Sequence, residues 1–265
     1  MPLTIVVLKV ALVPLLIGAI TLAGRRWGPT VAGWLTGLPV VSGPIMYFIA
    51  LEQGPVFAEQ AIVGMLLGIV AVFVCNLTYA WCATRLSWRG SVVCSLSAYF
   101  STVALLNMLS VSLNVTASVV FVCLFFALRF FPRAQVRTVK VASARSEILI
   151  RMFAGAVLVL TVTYFAATFG AHLSGLFATF PVISTVLAVF SHRQSGREFA
   201  ICLLRGIVLG WYAFLAFAVV LGWTLPVFGL VAAFVAATVS AAVAQMLSRR
   251  LISGAQAAVI NTGSR

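Results

Sequence analysis

Residues 33–44 read GWLTGLPVVSGP, and residues 175–186 read GLFATFPVISTV. Aligned at an offset of 142, with Gly33 opposite Gly175, the two segments share a glycine, a Pro-Val pair and a serine. The match continues without gaps from Gly28 to Ala71, where 13 of 44 positions are identical to their counterparts. Five of the seven glycines in that window recur, which a shared apolar bias alone would not produce. The sequence therefore predicts an internal duplication.

The composition of the chain predicts that this duplicated unit lies in a membrane. Of 265 residues, 63% are hydrophobic and 8% are charged, with a mean hydropathy of +1.18. A soluble domain carries about 25% charged residues, so there is too little polar side chain here to cover a water-facing surface. Apolar runs of about 20 residues recur along the chain, as bilayer-spanning helices require. The runs do not alternate as barrel strands would, so we predict an all-α polytopic membrane protein.

Nine transmembrane helices are predicted from these runs. The predicted organisation is a first transmembrane repeat at 1–131, a basic cytoplasmic linker at 132–147, a second repeat at 148–248 and a cytoplasmic tail at 249–265. The nine spans are placed at 3–23, 30–50, 59–82, 91–109, 113–131, 148–168, 173–191, 199–222 and 226–247.

The arginines predict the orientation of these spans. Basic residues accumulate in cytoplasmic loops, and in this chain every second connection is basic. The connections near 51–58, 110–113, 169–172 and 223–225 contain no Lys or Arg. An odd number of spans with the N-terminus outside and the C-terminus in the cytoplasm fits this alternation, and a bacterial cytoplasmic (inner) membrane is the expected location. The basic positions are Arg25, Arg26, Arg85, Arg89, Arg129, Arg133, Arg137, Lys140, Arg145, Arg193, Arg197, Arg249 and Arg250.

The parity of the duplication predicts an inverted repeat. Five spans separate the start of the first copy from the start of the second, so the second copy crosses the membrane in the opposite direction. The expected plan is 5 + 4 spans, and the second copy is expected to lack a counterpart of the fourth helix. Inverted-topology repeats are common in secondary transporters, which bind substrate near the midplane between the halves.

The paired prolines mark the predicted binding site. A proline inside a helix removes one backbone donor and displaces the carbonyl four residues earlier, and that carbonyl needs a new partner in the bilayer. Two such interruptions facing each other would form a polar site, whereas plain proline kinks are the structural alternative. Arg205 lies within a span and is predicted either to contact an anionic substrate or to extend to the headgroups. The predicted substrate-binding residues are Thr36, Pro39, Ser42, Thr179, Pro181, Ser184 and Arg205.

The remaining charged and reactive residues reduce the number of functions that are compatible with the sequence. There is no Asp, and the four Glu fall at span ends or in connections, which argues against a cation substrate. Lys9 and Arg151 are interpreted as interface anchors. The spans contain no Ser/His, paired-carboxylate or metal-ligand arrangement, so we predict no enzymatic activity, no metal and no cofactor. The net charge of +13 is attributed to topology and lipid headgroups, not to nucleic acid.

Three functions are compatible with this sequence. The first is a small secondary transporter, a carrier or exporter of an anionic or neutral organic solute that works by alternating access. The second is a translocase of lipids or lipid-linked intermediates on the same scaffold. The third is a non-transporting subunit of a membrane complex. The expected partners are a small-molecule or lipid substrate and membrane lipids, and a homodimer is also compatible with the sequence.

Overall fold

The computed structural model describes residues 3–109, 111–134, 145–168 and 180–262, and these residues form an all-helical fold without strands. Ten helices are present in the described ranges. In chain order they are α1 (Leu3–Trp27), α2 (Pro29–Leu35), α3 (Ser42–Gln53), α4 (Pro55–Ala83), α5 (Trp88–Leu106), α6 (Leu113–Phe130), α7 (Arg145–Thr168), α8 (Val182–Ser195), α9 (Arg197–Phe228) and α10 (Leu230–Thr262).

Five of these helices are long and apolar enough to cross a membrane, which indicates a membrane-embedded protein. They are α4, α5, α6, α9 and the part of α10 up to Arg249. The most apolar window of α9 is 67% buried, against 22% for α5 and α10 and 28% for α6. Helix α9 therefore lies at the centre of the fold, and α5, α6 and α10 present broad apolar faces outward.

Helix α10 shows how the apolar residues are divided between core and lipid. Ala233, Ala237 and Ala241 recur every four residues and are buried, because small side chains let α10 approach its neighbour α9 closely. Val231, Val235, Val239 and Val243 recur at the same spacing and are exposed. A strip of exposed valines is compatible with contact to lipid acyl chains.

Single glycines join consecutive helices. Gly54 separates α3 from α4 with φ 85° and ψ 172°, and Gly196 separates α8 from α9 with φ 88° and ψ 171°. A positive φ of this size is accessible to glycine and strained for other residues, so the chain can turn in one residue. The two joints occupy equivalent positions of the two copies and have the same conformation within a few degrees.

The helix boundaries differ from the predicted spans in several places. The predicted connection 223–225 lies inside α9, which continues to Phe228, and α7 begins at Arg145, within the predicted linker 132–147. The predicted span 30–50 is divided into α2 and α3, and the interruption predicted at Pro39 is present. The predicted last span 226–247 is longer, because α10 continues without a break to Thr262. Residues 249–262 of the predicted tail are thus helical. Most of the first part of the predicted span 173–191 lies outside the described residues, and α8 begins at Val182.

The missing counterpart in the repeat stays a prediction. We expected the fourth helix of the first copy to lack a counterpart. At the offset of the glycine-rich segments, Leu230, the first residue of α10, is aligned with Trp88, the first residue of α5. An alignment extended that far would pair the fourth predicted span with the last one and leave α6 as the extra helix.

Candidate functional site

The first interruption is a tight turn around Pro39. Helix α2 ends at Leu35, and the Val40 backbone N–H donates to Leu38 O at 2.8 Å, which closes a three-residue turn. The Gly43 N–H then donates to Pro39 O at 2.7 Å and starts the hydrogen bonding of α3. Proline imposes this break because it has no N–H to continue the helix. The segment is a true discontinuity and not a kink in one helix.

The second predicted interruption lies around Pro181, where α8 begins, and the residues before Phe180 are outside the described part of the chain. The turn at Pro181 has the same two hydrogen bonds as the turn at Pro39. The Val182 N–H donates to Phe180 O at 2.8 Å, and the Thr185 N–H donates to Pro181 O at 2.9 Å. Pro181 has φ −77° and ψ 56°, close to the inverse γ-turn. Both bonds join residues that are aligned with those of the first interruption. The chain thus uses one backbone turn twice.

A side chain of α10 donates a second hydrogen bond to a carbonyl at the end of α2. Gln245 is 5% exposed, and its Nε2 donates to Trp34 O at 2.9 Å. The Trp34 indole Nε1 in turn donates to Ser248 Oγ at 2.9 Å. These bonds hold the end of α2 against α10, and an apolar side chain at either position of α10 could not make them.

Glycines bring α2 into backbone contact with α9. A Cβ on Gly33 would lie 2.7 Å from Ile207 N, and a Cβ on Gly210 would lie 2.9 Å from Gly37 Cα. A Cβ on Gly206 would collide with Thr30 O. Gly33 and Gly37 therefore interlock with Gly206 and Gly210 at the four-residue spacing typical of close helix pairs in membranes.

The second interruption contacts different helices. The Phe180 ring lies 5.6 Å from the Tyr99 ring and 6.1 Å from the Phe100 ring, both on α5. The first interruption contacts α9 and α10, where Gly43 faces Phe217 and Tyr47 lies 5.1 Å from Phe234. Each turn therefore packs against helices of the other predicted repeat.

The structure places the predicted site residues in separate environments. Thr36 Oγ1 donates to Gly33 O at 2.6 Å and Ser184 Oγ donates to Pro181 O at 3.2 Å, so both hydroxyls bond the local backbone. Ser42 is half-buried at the start of α3, and Thr179 lies outside the described residues. Arg205 donates from Nη1 to Pro132 O at 3.3 Å, and it does not line the cavity described next.

Two arginines line a cavity between α1, α2, α7, α8 and α9. Besides Arg25 and Arg151, the cavity is lined by three residues with hydroxyl side chains, Thr21, Ser191 and Ser195. The remaining walls are small or apolar and include Leu187 and Leu203. The cavity encloses about 360 Å³ of space, counting its open mouth, but its enclosed part has room for little more than a water molecule.

Arg151 is the most deeply buried charge in this cavity, at 5% exposure. Its Nη2 donates to Gln194 Oε1, and the guanidinium lies 5.7 Å from the Phe190 ring centroid. The interpretation of Arg151 as an interface anchor is therefore wrong. The sequence offers no signal for this contact, because residues 191–195 read SHRQS and are polar on every helix face.

Arginines and hydroxyls dominate the chemistry of this cavity. Among the described residues no group of three His, Cys, Asp or Glu side chains is arranged to hold a metal ion. Guanidinium groups with hydroxyl donors can bind carboxylate or phosphate oxygens. Comparison of the chain with protein-family models, with curated proteins and with solved structures gives no match.

Proposed function

We propose that this protein is a secondary transporter that moves an organic anion across the membrane by alternating access. Its two copies would form an inverted-topology repeat, with the N-terminus outside and the C-terminus in the cytoplasm of a bacterial inner membrane. The observation that carries the proposal is the pair of interruptions, which have the same backbone turn at equivalent positions of the two copies. Matched discontinuous helices are typical of the binding region of such transporters.

Contacts between the basic connections support the proposed orientation. Arg197 Nη1 donates to Thr84 O at 3.0 Å, and Arg205 Nη1 donates to Pro132 O. The first bond joins the connections that follow α4 and α8, and the second joins the first turns of α9 to the connection that follows α6. Three of the basic connections thus lie at the same end of α9, as the positive-inside rule requires of a cytoplasmic face.

The interlocked halves suggest how access could alternate. At 12 residues, α3 is about 18 Å long, too short for a hydrocarbon core of about 30 Å. It can therefore move as a half-helix at the Pro39 turn without unfolding a complete span. Because each interruption packs against the other copy, a rotation of one copy would change the surroundings of both turns together.

A lipid translocase is the second candidate function. Its support is the position of the Arg25 and Arg151 cavity beside the basic connections, at the end where lipid phosphates would lie. In that case the transported group would be a headgroup and the acyl chains would remain in the bilayer.

Thiol labelling tests alternating access at the interruptions. Ser42→Cys and Ser184→Cys would be made in a background lacking Cys75, Cys82, Cys94, Cys123 and Cys202, and a membrane-impermeant reagent added to each face of oriented vesicles. We expect both cysteines to react from either face, since the region between the turns would be open to one face in one state and to the opposite face in the other. Ser95→Cys is the matched control, because Ser95 is a buried serine of α5 outside both turns and should not react.

The outcome distinguishes the candidate functions. Reaction of both sites from both faces, with flux of organic anions into vesicles, supports the transporter. Reaction without solute flux but with movement of fluorescent lipids between leaflets supports the translocase. If neither site reacts from either face, the prolines only shape the fold, and a non-transporting subunit becomes the better explanation.

A further inference from the structure

The guanidinium of Arg151 carries a charge that no ion pair among the described residues neutralises. Glu147 lies one helical turn before Arg151 on α7 and its charge acts on Arg151, but it is beyond ion-pair distance, and its Oε2 is itself buried without a hydrogen-bond partner. Arg25 lines the same cavity and adds a second positive charge. A buried cation without a paired anion costs several kcal/mol, so this arrangement gains stability when an anion enters.

Donor groups point to where that anion would bind. Among the described residues, Arg151 Nε and Ser195 Oγ are buried and have no hydrogen-bond partner. Both residues line the cavity, and Arg151 is more than nine-tenths buried. The contacts with Gln194 and Phe190 hold the guanidinium in one orientation. Binding an anion here would therefore cost less side-chain entropy than binding it to a surface arginine.

We propose that this cavity binds an oxyanion, a carboxylate or phosphate group, through Arg151 Nε and Ser195 Oγ in the positive field of Arg25. The role of this anion as cargo rests on the proposed transport function, whereas its binding does not. Because the enclosed part has room for little more than a water molecule, one oxygen of the oxyanion would reach Arg151 Nε and the rest of the ligand would lie in the open mouth.

The positive charge of the cavity can be tested by comparing the reaction rates of two thiol reagents of opposite charge. Phe199→Cys places a thiol on the cavity wall and leaves every polar atom in place. In the background without native cysteines, we expect an anionic methanethiosulfonate reagent to react faster than a cationic one of similar size. Arg151→Gln should lower the ratio of the two rates about tenfold, because one unit charge is removed from a site of low dielectric.

Two further variants distinguish an effect of the lost charge from an effect of damage to the fold. Arg151→Lys keeps the charge and should keep the rate ratio. Arg26→Gln removes an exposed charge at the same end of the molecule, where Arg26 lies over Trp27, and should change the ratio by less than about twofold because solvent screens it. An equal ratio in the parent protein and in Arg151→Gln would overturn the proposal.

Protection experiments identify the source of the oxyanion. In nanodiscs of phosphatidylcholine alone, sodium phosphate or sodium acetate should slow labelling of Phe199→Cys, and Arg151→Gln should abolish this protection. Protection only after phosphatidylglycerol is added to the nanodisc would instead assign the site to a lipid phosphate. If phosphate, acetate and phosphatidylglycerol all leave the rate unchanged, the cavity binds no oxyanion and the inference fails.

This inference and the proposed function can fail separately. Anion protection at Phe199→Cys without two-sided labelling of Ser42→Cys and Ser184→Cys would leave an anion-binding membrane protein that does not alternate. Two-sided labelling without protection by anions would leave a transporter whose substrate binds elsewhere.

Discussion

At the scale of single residues, a few polar side chains fix positions that the apolar residues leave undefined. Gln245 is the clearest case, because it is almost fully buried in α10 and donates to Trp34 O where α2 ends. That carbonyl keeps one other bond, from the Gly37 N–H at 3.2 Å. The interruption of a helix in an apolar environment is thus stabilised by an amide from a neighbouring helix.

Gln245→Glu should destabilise the protein at neutral pH. The substitution keeps the shape of the side chain but replaces the donating amide with an oxygen that faces Trp34 O. We expect a loss of about 2 kcal/mol, the cost of a buried group left without its hydrogen bond, and a lower melting temperature in detergent. Gln60→Glu, on the exposed face of α4, is the matched control. Equal melting temperatures for the two variants would contradict the capping role.

Arg151 illustrates what residue type alone does not reveal. Its sequence position near the start of a span is equally suited to an exposed headgroup anchor and to a buried side chain. The difference arises from α8, whose Gln194 and Phe190 enclose the guanidinium. Such a contact between residues distant in sequence depends on the packing of two helices, which a single sequence does not specify.

At the scale of elements, the contact of α2 with α9 depends on the absence of side chains. Gly206→Ala should separate the two helices, because the added methyl group would collide with the backbone of Thr30, which has no flexible end that could move aside. We expect a loss of about 1–3 kcal/mol, the usual range for overpacking, measured as a fall in melting temperature.

Gly64→Ala is the control for that change. Gly64 occupies the position of α4 that is aligned with Gly206 in the repeat, and a Cβ there would meet no described atom within 4 Å. Alanine also favours the helix by up to about 1 kcal/mol relative to glycine. Gly64→Ala should therefore leave the melting temperature unchanged or raise it. A larger loss for Gly64→Ala than for Gly206→Ala would contradict the packing described here.

The elements also show how far the sequence could predict the fold. The apolar runs predicted the helices, and Pro39 predicted the interruption, because proline acts locally on its own helix. The partner of each interruption was not predictable, since that depends on which helices of the two copies meet. For the same reason the predicted site residues stay predictions, and the cavity of Arg25 and Arg151 came only from the structure.

At the scale of the whole molecule, the two copies are interlocked. Helix α1 packs against α7, α2 packs against α9, and Phe180 packs against α5. Neither copy would bury these surfaces by itself. The chain therefore resembles one folding unit made of two copies more than two domains joined by a linker.

Division of the chain within residues 135–144 tests this interlocking. We expect fragments 1–139 and 140–265 to copurify through a tag on one of them when they are expressed together. Each fragment expressed alone should be degraded or aggregate, because the faces that contact the other copy would be exposed. Two stable, monodisperse single fragments would show that the copies fold independently.

Helix α6 connects the long helices α4 and α9 through hydrogen bonds at its two ends. At one of its ends the Trp81 indole of α4 donates to Phe130 O at 2.7 Å, and at the other end the Trp223 indole of α9 donates to Asn114 Oδ1 at 2.9 Å. If α4 and α9 rotate relative to each other, α6 must follow one of them and release the other. Two otherwise matched halves would then have unequal resting states, and a difference of about 1.4 kcal/mol between them already corresponds to a tenfold preference for one. The extra helix would in that case make one of the two states the preferred resting state of the protein.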